Sequence, residues 1–495
     1  MSFCLNFPLF LIVASLLFSV VSSLLDSKKA RILTLALLLA SCCCNLIILL
    51  YVKTDNLTYQ YMMGHFPAPW GNEIRILTLE ALFSTIFACV FFYTLLSGKE
   101  PIDQYVGEER KNLYYSLCDL VNAALLVLVY TNDIFTGYVF VEIMTLASCG
   151  ILCMKNVGRS FAAAARYMLF ALVGSGLFLL GVIFLYNITG HLLMPNLKEA
   201  VANLWISGKY HLPLLASICL ISVGISIKSG LFPFHFWMAD TYGEAIPTSS
   251  GILSGLVSKA YIFFLLKVIF DVFGTSVFYS SGINNVFYFL GAMGIVFGSI
   301  GALKENHIFR MCAYSSAAQI GYIYFAFGIS PSVGVIASLY QIFNHTFTKP
   351  ALFLASYRLS KVSGGAKKFK NLEGSFKKDP FSAIAFTLEA LSMIGFPLTM
   401  GFISKFIIAT SVFDNPTWQI VLTIIVLIIS TILNTLYFTR TIITIFNTDS
   451  SVEYKRELPP LNFMIGMSVF MMTNIVAGVI GSRLLDIINL ALEVF

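Results

Sequence analysis

A small group of ionisable side chains lies inside long apolar stretches of this chain. These residues are Glu142, Lys228, Lys259, His345, Lys349, Glu389 and Lys405. A charge at bilayer depth costs at least ~2.5–3.5 kcal/mol on insertion scales, so it persists only with a partner, with water or with a function. The group therefore indicates chemistry that takes place away from bulk water.

Proton transfer is the chemistry that fits lysine, glutamate and histidine in such surroundings. Burial disfavours the charged form of each group, and an opposite charge nearby favours it again. A lysine whose partner approaches or withdraws can therefore take up and release a proton near neutral pH. His345 and Lys349 are four residues apart in NHTFTKPALF, so a helix places them on one face. His345 taken alone would be typical of a packed core residue.

The other residues also have plainer interpretations. Glu142 could neutralise a lysine as a structural ion pair, and Lys228 or Lys405 could extend to a membrane interface. Two further acids interrupt apolar stretches. For Glu80 a structural role fits equally well, and Asp119, near the start of its stretch, fits an interfacial position.

The elements that must position these groups are membrane-spanning helices. Of the 495 residues, 58% are hydrophobic and 11% are charged, against roughly a quarter charged in soluble proteins. About 20 apolar residues cross a bilayer as a helix. Fourteen stretches meet or approach this length, near residues 5–25, 31–51, 75–97, 113–131, 133–154, 161–187, 212–232, 247–271, 284–303, 308–328, 331–357, 380–411, 416–446 and 460–490. We expect an all-α polytopic membrane protein with about fourteen spans.

The basic residues follow a membrane topology. Most of the 31 Lys and Arg residues fall in alternate loops, as the excess of positive charge on the cytoplasmic side requires. The residues that we assign to the opposite side are Lys53, Arg75, Lys198, Lys209, Lys267 and Arg483. We expect a multi-pass protein of the inner (cytoplasmic) membrane of the cell, with both termini outside. The net charge of +6 then reflects topology and not nucleic-acid binding.

The ten cysteines fall almost entirely within apolar stretches, where a thiol behaves as a small hydrophobe. This pattern predicts core packing and neither a disulfide framework nor a metal site.

Two spans carry related interruptions. The seventh has Gly230 and Pro233 just after Lys228, and the twelfth has Gly395, Pro397 and Gly401 just before Lys405. Since proline removes a backbone donor and glycine weakens a helix, both spans are predicted to be discontinuous at mid-membrane. Paired interruptions of this kind are typical of inverted repeats with an ion site at the break.

The interruptions suggest how the single membrane domain, 1–495, is organised. Its predicted parts are three N-terminal helices in 1–110, a first five-helix repeat in 111–271, a second in 284–446, and a C-terminal helix in 460–490. Spans four to eight and nine to thirteen form the two repeats.

Several segments together resemble a known family. They are the stretch around Glu142, KSGLFPFHFWMADTYGEAIPTSSGILSG (228–255), AYSSAAQIGY (313–322), NHTFTKPALF (344–353) and GFPLTMGFISKF (395–406). From about residue 110 to 445 the chain resembles the antiporter-like proton-conducting subunits of respiratory complex I, membrane-bound hydrogenases and Mrp-type sodium/proton antiporters. It looks like a shorter type, similar to the Mrp D subunit, although Leu398 replaces the second proline of the usual Gly-x-Pro-Pro.

The resemblance implies a role for each residue. Glu142 and Lys228 would form the paired site of a first half-channel, and Lys259 the central relay. His345 and Lys349 would continue the relay, and Lys405 would be its terminal switch. Glu389 could serve the terminal part of the pathway. The redox centres and the quinone site of such complexes belong to other subunits.

The leading functional hypothesis is a subunit that relays protons, with or without exchange for Na⁺, inside a multisubunit membrane complex. Because no haem, iron–sulfur or nucleotide motif is present, we expect no cofactor in this chain and an enzyme role only as part of an NADH dehydrogenase-like or hydrogenase complex. Alternatives are a self-sufficient secondary transporter of an organic solute and a scaffold subunit whose charges are structural pairs. The sequence does not choose between antiport and redox-driven pumping.

Overall fold

The computed structural model describes residues 6–55, 58–66, 71–413, 415–448 and 455–493. In this part of the chain, eleven helices are long and apolar enough to cross a membrane. The expected all-α polytopic membrane architecture is confirmed.

We number the spanning helices α1 to α14 so that they match the predicted spans. The first six are α1 (Phe7–Leu24), α2 (Ser27–Asp55), α3 (Thr78–Ser97), α4 (Lys111–Tyr130), α5 (Ile134–Cys153) and α6 (Gly158–Thr189). The next five are α7a (His211–Ser229) with α7b (Phe236–Glu244), α8 (Pro247–Ser280), α9 (Ile283–Lys304), α10 (Ile308–Ile329) and α11 (Val333–Val362). The last three are α12a (Pro380–Ile394) with α12b (Met400–Thr410), α13 (Thr417–Phe446) and α14 (Leu461–Val479).

Short elements connect these helices. They are helices at Lys99–Tyr105, Met194–Ile206 and Ser375–Lys378, and single 3₁₀ turns at Met63–His65, Glu108–Arg110 and Phe369–Leu372. The sequence did not predict the antiparallel hairpin of β1 (Tyr59–Met62) and β2 (Glu73–Ile76) between α2 and α3. The predicted C-terminal helix over 460–490 is wrong as a single helix, because α14 ends at Val479 and a separate amphipathic helix, α15 (Gly481–Glu493), follows.

The predicted discontinuities in spans seven and twelve are confirmed, and both begin in the same way. Gly230 (φ 83°) and Gly395 (φ 94°) adopt the left-handed conformation that ends a helix. The next residue then donates its backbone N–H five positions back, from Leu231 to Ser226 and from Phe396 to Leu391, each over 3.0 Å. This Schellman arrangement favours glycine because a Cβ is strained at positive φ. The shared geometry supports the two-repeat organisation, which stays a prediction.

Alternate connections meet at opposite ends of the bundle. At one end, which we call the basic end, His307 pairs with Lys368 and Glu457 donates its backbone N–H to Lys378. At the other, the far end, the connections after α4 and α6 pair through Asp133 and Leu193. Successive spans therefore run in opposite directions, as the fourteen-span prediction requires.

Two close backbone contacts hold the irregular helices in place. A Cβ added at Gly255 in α8 would lie 2.7 Å from Cγ of Pro350 in α11, so the two helices approach closely at this point. A Cβ added at Gly401 would overlap the carbonyl oxygen of Ser392. Gly401 therefore lies inside α12b, not in the break itself, and lets the two halves of α12 approach closely.

We expect Gly401→Ala to destabilise the protein by about 1–3 kcal/mol, because the methyl group must push α12b away from Ser392. The measurement is the melting temperature of the assembled protein in detergent. Gly176→Ala in α6 is the control, since a Cβ there meets no atom within 4 Å and alanine favours the helix. Equal melting temperatures for the two variants would contradict this packing.

Candidate functional site

The first two predicted site residues form an ion pair between α5 and α7a. Nζ of Lys228 lies 3.2 Å from Oε1 of Glu142, and Ser175 of α6 donates a second hydrogen bond to the same oxygen. Lys228 lies in the last turn of α7a, just before the break, where the free backbone carbonyls favour a cation. The break therefore helps to hold a buried ammonium group.

Neutral groups continue from this pair toward α8. Lys228 donates to the Thr145 hydroxyl over 2.7 Å, and Thr145 lies 3.0 Å from the hydroxyl of Tyr261. The Lys228 ammonium also lies 5.7 Å from the centre of the Tyr261 ring. Tyr261 is two residues from Lys259, so the pair connects to the helix that carries the central lysine.

The two partners of the ion pair differ in exposure. The side chain of Lys228 is 0% exposed, whereas that of Glu142 is 22% exposed. Leu146, one turn further along α5, is also exposed. Glu142 therefore faces the lateral surface of the bundle, and Lys228 lies inside it.

Lys259 is held by an irregular segment of its own helix. Residues Leu253–Val257 form a π-turn, which shifts the hydrogen bonding of the backbone, and such turns are frequent at functional sites. Nζ of Lys259 donates to the Ser254 carbonyl over 2.6 Å and to the Ser258 hydroxyl over 2.9 Å. Among the residues described, no carboxylate lies within 4.0 Å of this fully buried ammonium group.

A cluster of hydroxyl groups on α10 joins α8 to α11. The Ser254 hydroxyl lies 2.9 Å from that of Ser316. Lys349 of α11 donates to the hydroxyl of Ser315, which precedes Ser316 in the chain. It also donates to the backbone carbonyl of Cys312 over 3.1 Å. Ser315 and Ser316 also donate to this carbonyl. The two lysines are thus connected through one turn of α10.

His345 is fully buried in α11, one helical turn before Lys349. Neither ring nitrogen has a hydrogen-bond partner among the described residues. Lys349 lies near the middle of α11, which continues as a helix through Pro350. The structure brings the three residues together as the sequence suggested.

A neutral chain of side chains leads from this centre to the break in α12. The side-chain amide oxygen of Gln341 accepts hydrogen bonds from the Asn344 side chain, over 3.3 Å, and from Ser404 of α12b. The side-chain oxygen of Asn344 accepts hydrogen bonds from the hydroxyls of Ser392, over 3.4 Å, and Thr348, over 3.3 Å. Sequence reasoning missed these residues because amides and hydroxyls carry no signal until it is known which helix faces meet.

Lys405 lies against the second break. It donates to the carbonyl of Ile394, the last residue of α12a, over 2.6 Å, and lies 5.4 Å from the centre of the Tyr322 ring. Its side chain is partly exposed. In the connection, Leu398 has a φ of 70°, which a proline ring cannot adopt, so the missing second proline and this backbone geometry belong together.

Glu389 lies apart from the other predicted residues. It accepts a hydrogen bond from Asn474 of α14 over 2.7 Å, and Asn474 in turn accepts from the backbone N–H of Met400 at the start of α12b, over 3.2 Å. None of the contacts described for Glu389 reaches Lys405 or His345. The structure places it beside the break without joining it to the lysines.

The structure places two further charges inside the bundle. Asp119 is fully buried in α4, where it accepts a hydrogen bond from Ser22, in the last turn of α1, over 2.7 Å. Lys267 is buried too, within α8, which extends to Ser280. Its Nζ lies 3.0 Å from Oε1 of Glu80, and both side chains are fully buried.

At the basic end, α7b is fixed by a charged cluster. Asp240 accepts from Arg310 of α10 over 2.5 Å and forms an ion pair with Arg166 of α6. Behind it, Lys155 donates to the Glu244 carbonyl over 2.6 Å, and burial lowers the pKa of Lys155 to about 8. A cavity of about 290 Å³ opens beside Asp240. Across the described residues, no cluster of three or more His, Cys, Asp or Glu residues could hold a metal ion.

Together, the described contacts place five ionisable groups, Glu142, Lys228, Lys259, Lys349 and Lys405, along one line through the bundle, with His345 beside Lys349. Hydroxyls and helix carbonyls link Lys259 to Lys349. In the other intervals the hydrogen-bonded side chains end close to the next lysine in the chain, at Tyr261, two residues from Lys259, and at Ser404, next to Lys405. Such groups can accept and donate protons in turn, so the arrangement can carry a proton relay.

Comparison with known proteins is consistent with this geometry. The fold is similar to that of a chain in the structure of the Mrp complex from Dietzia sp. DQ12-45-1b, with a TM-score of 0.86, 21% identity and 99% and 97% of the two chains covered. A chain of the membrane-bound sulfane sulfur reductase, an archaeal respiratory membrane complex, gives a TM-score of 0.87 and 22% identity, with 98% and 97% covered. These likenesses show the fold.

The sequence itself is similar to two kinds of membrane protein. It is 31% identical over 390 residues to the N subunit of the NADH-quinone oxidoreductase of Desulforudis audaxviator, covering 78% of this chain and 74% of the relative. It is 28% identical over 369 residues to the D subunit of the Na⁺/H⁺ antiporter of Alkalihalophilus pseudofirmus, covering 72% and 70%. Residues 131–432 match the family described as "NADH:quinone oxidoreductase/Mrp antiporter, TM". The chain belongs to this family of transmembrane antiporter-like proteins.

Proposed function

We propose that this chain relays protons through the membrane as an antiporter-like subunit of a multisubunit complex. The observation that carries the proposal is the Glu142–Lys228 pair, continued by hydroxyls and carbonyls to Lys259, Lys349 and Lys405. The oxidoreductase and antiporter relatives, both named as subunits, support a place inside a larger assembly. We further propose that the protein lies in the cytoplasmic membrane with its basic end inside and both termini outside.

The lateral position of Glu142 supports a neighbouring membrane subunit as partner. A partly exposed carboxylate on a bundle surface of apolar side chains is costly next to lipid. A polar or charged group on a neighbour would remove that cost. The relay would then continue, or be influenced, across the subunit boundary.

Two driving reactions fit a chain of this kind: exchange of protons for another cation, and redox chemistry on other subunits. Purification of the intact complex distinguishes them. Iron–sulfur subunits in the preparation would indicate a redox-driven pump, and small Mrp-like membrane subunits would indicate an antiporter.

We expect Lys228→Ala and Glu142→Ala to lower proton transport by about 100-fold, since a positioned proton-transfer group contributes at least this much in enzymes. The measurement is pH change in vesicles that contain the whole complex, with subunit composition checked by gel. The matched control is Lys209→Ala, which removes an exposed lysine far from the pair. Normal transport in both pair variants would refute the assignment, and lost assembly would favour the scaffold hypothesis.

We also expect Gln341→Leu to reduce transport at least about tenfold, because leucine has no acceptor for Asn344 or Ser404 and interrupts the neutral chain to Lys405. Gln419→Leu in α13 is the control, as Gln419 is also buried, but among the described residues its side chain bonds Asn415 alone. The same vesicle assay applies. If the two glutamine variants behave alike, the neutral chain does not carry the relay.

A further inference from the structure

A second group of buried charges lies at the far end of the bundle, outside the line described above. Glu80 in α3 and Lys267 in α8 form the fully buried ion pair. Lys267 also donates to the Val129 carbonyl of α4 over 2.9 Å. The other oxygen of Glu80, Oε2, accepts the backbone N–H of Leu77 over 3.0 Å.

An open cavity lies directly behind this pair. It has a volume of about 490 Å³ and is lined by Leu77 and by four charged residues, Arg75, Lys198, Glu199 and Asp271. Leu77 lines the cavity, and its backbone N–H donates to the Glu80 carboxylate. Leu77 therefore lies between this carboxylate and the cavity. A cavity of this size and polarity holds many water molecules.

The rim of the cavity carries a second ion pair. Nη2 of Arg75 lies 3.3 Å from Oδ1 of Asp271, with side chains 20% and 3% exposed. Asp271 is four residues after Lys267 and lies in the second π-turn of α8, Ile269–Phe273. Charged residues therefore extend from the cavity, which Arg75 and Asp271 line, toward the buried Glu80–Lys267 pair, with Asp271 one helical turn after Lys267.

On the inner side, an aromatic cluster separates the pair from the central lysine. Lys259, Phe263 and Lys267 follow one another at four-residue spacing, so they share a face of α8. The ring of Phe263 lies 4.8 Å from that of Phe83 and 6.5 Å from that of Phe87, both on α3 beyond Glu80. All three phenylalanines are buried. Apolar constrictions of this kind gate ion passage by excluding water.

We propose that Glu80 and Lys267 form a proton-exchange site between the Lys259 line and the far side of the membrane, with Phe83, Phe87 and Phe263 as its gate. This inference rests on the proposed relay function. Lys267 passes a proton to the Glu80 carboxylate, which leaves a neutral amine and a carboxylic acid. The acid releases its proton to water in the cavity, and the amine is recharged from Lys259 when the gate is wetted. Reversal of the steps carries a proton inward.

The first test removes the proton-exchanging groups in the intact complex, reconstituted in vesicles. We expect Glu80→Gln to lower transport at least about tenfold and Glu80→Asp to retain part of it. Because Glu80→Gln leaves Lys267 buried and unpaired, the double variant Glu80→Gln with Lys267→Gln is measured as well. A purely structural pair predicts restored transport in the assembled double variant, and this result would overturn the proposal. Continued loss supports it.

The second test opens the gate. We expect Phe263→Ala to raise the passive proton leak of the vesicles several-fold, and Phe264→Ala to leave it at the wild-type level. Phe264 is the matched control, because it is equally buried on the same helix but packs on Phe178 instead of α3. Equal leaks in the two variants would overturn the gate.

Lys228→Ala, assayed in parallel, separates the two proposals. If Lys228→Ala transports normally, the relay function itself fails. If Lys228→Ala is inactive while Glu80→Gln transports normally, only the far-side site fails.

Discussion

The structure depends on one constraint: an ammonium group held away from water needs an oxygen acceptor at hydrogen-bond distance. In a regular helix the backbone carbonyls already accept hydrogen bonds, and in two places irregular backbone supplies free ones. The break in α12 gives Lys405 the carbonyl of Ile394, and the first π-turn of α8 gives Lys259 the carbonyl of Ser254. Such a contact survives loss of the proton, because an amine also donates to a carbonyl. The interruptions of the fold therefore give both lysines an acceptor in either protonation state, whether the side chain is fully buried, as in Lys259, or partly exposed, as in Lys405.

The buried lysines divide into two kinds. Lys228 and Lys267 are each paired with a glutamate, and each pair lies close to a boundary of the bundle, one at the lateral surface and one behind the far-end cavity. Lys259 and Lys349 lie at the centre, where the described residues offer them hydroxyls and carbonyls and no carboxylate within 4.0 Å. In the relay that we propose, paired charges at the edges and neutral acceptors in the middle let a proton enter at a charged site and cross the interior without a fixed counter-charge to trap it.

Hydropathy and Gly/Pro interruptions were enough to predict the spans and both broken helices, because each depends on local sequence. The pairing of Glu142 with Lys228 was implied only by the family resemblance, since it depends on how α5 and α7a meet. The far-end pair was not predicted, since the burial of Lys267 depends on how far α8 continues and on α3 packing beside it. The burial of Asp119 was not predicted either, because it depends on α1 packing against α4. Neither the π-turns nor the Gln341–Asn344–Ser392 chain has a sequence signal, since both are decided by contacts between helices. Glu389 was placed near the right break, but its orientation toward Asn474 follows from the position of α14.

The contact of Gly255 with Pro350 limits how far α8 and α11 can move against each other. Since the backbone of Gly255 lies directly against the ring of Pro350, no side chain separates α8 from α11 at this point. Such a close-packed contact resists displacement. Sliding one against the other would disrupt the close packing at this contact. Rotations of the lysine side chains leave it undisturbed. In the relay that we propose, proton transfer therefore relies on small local displacements of side chains around this fixed contact.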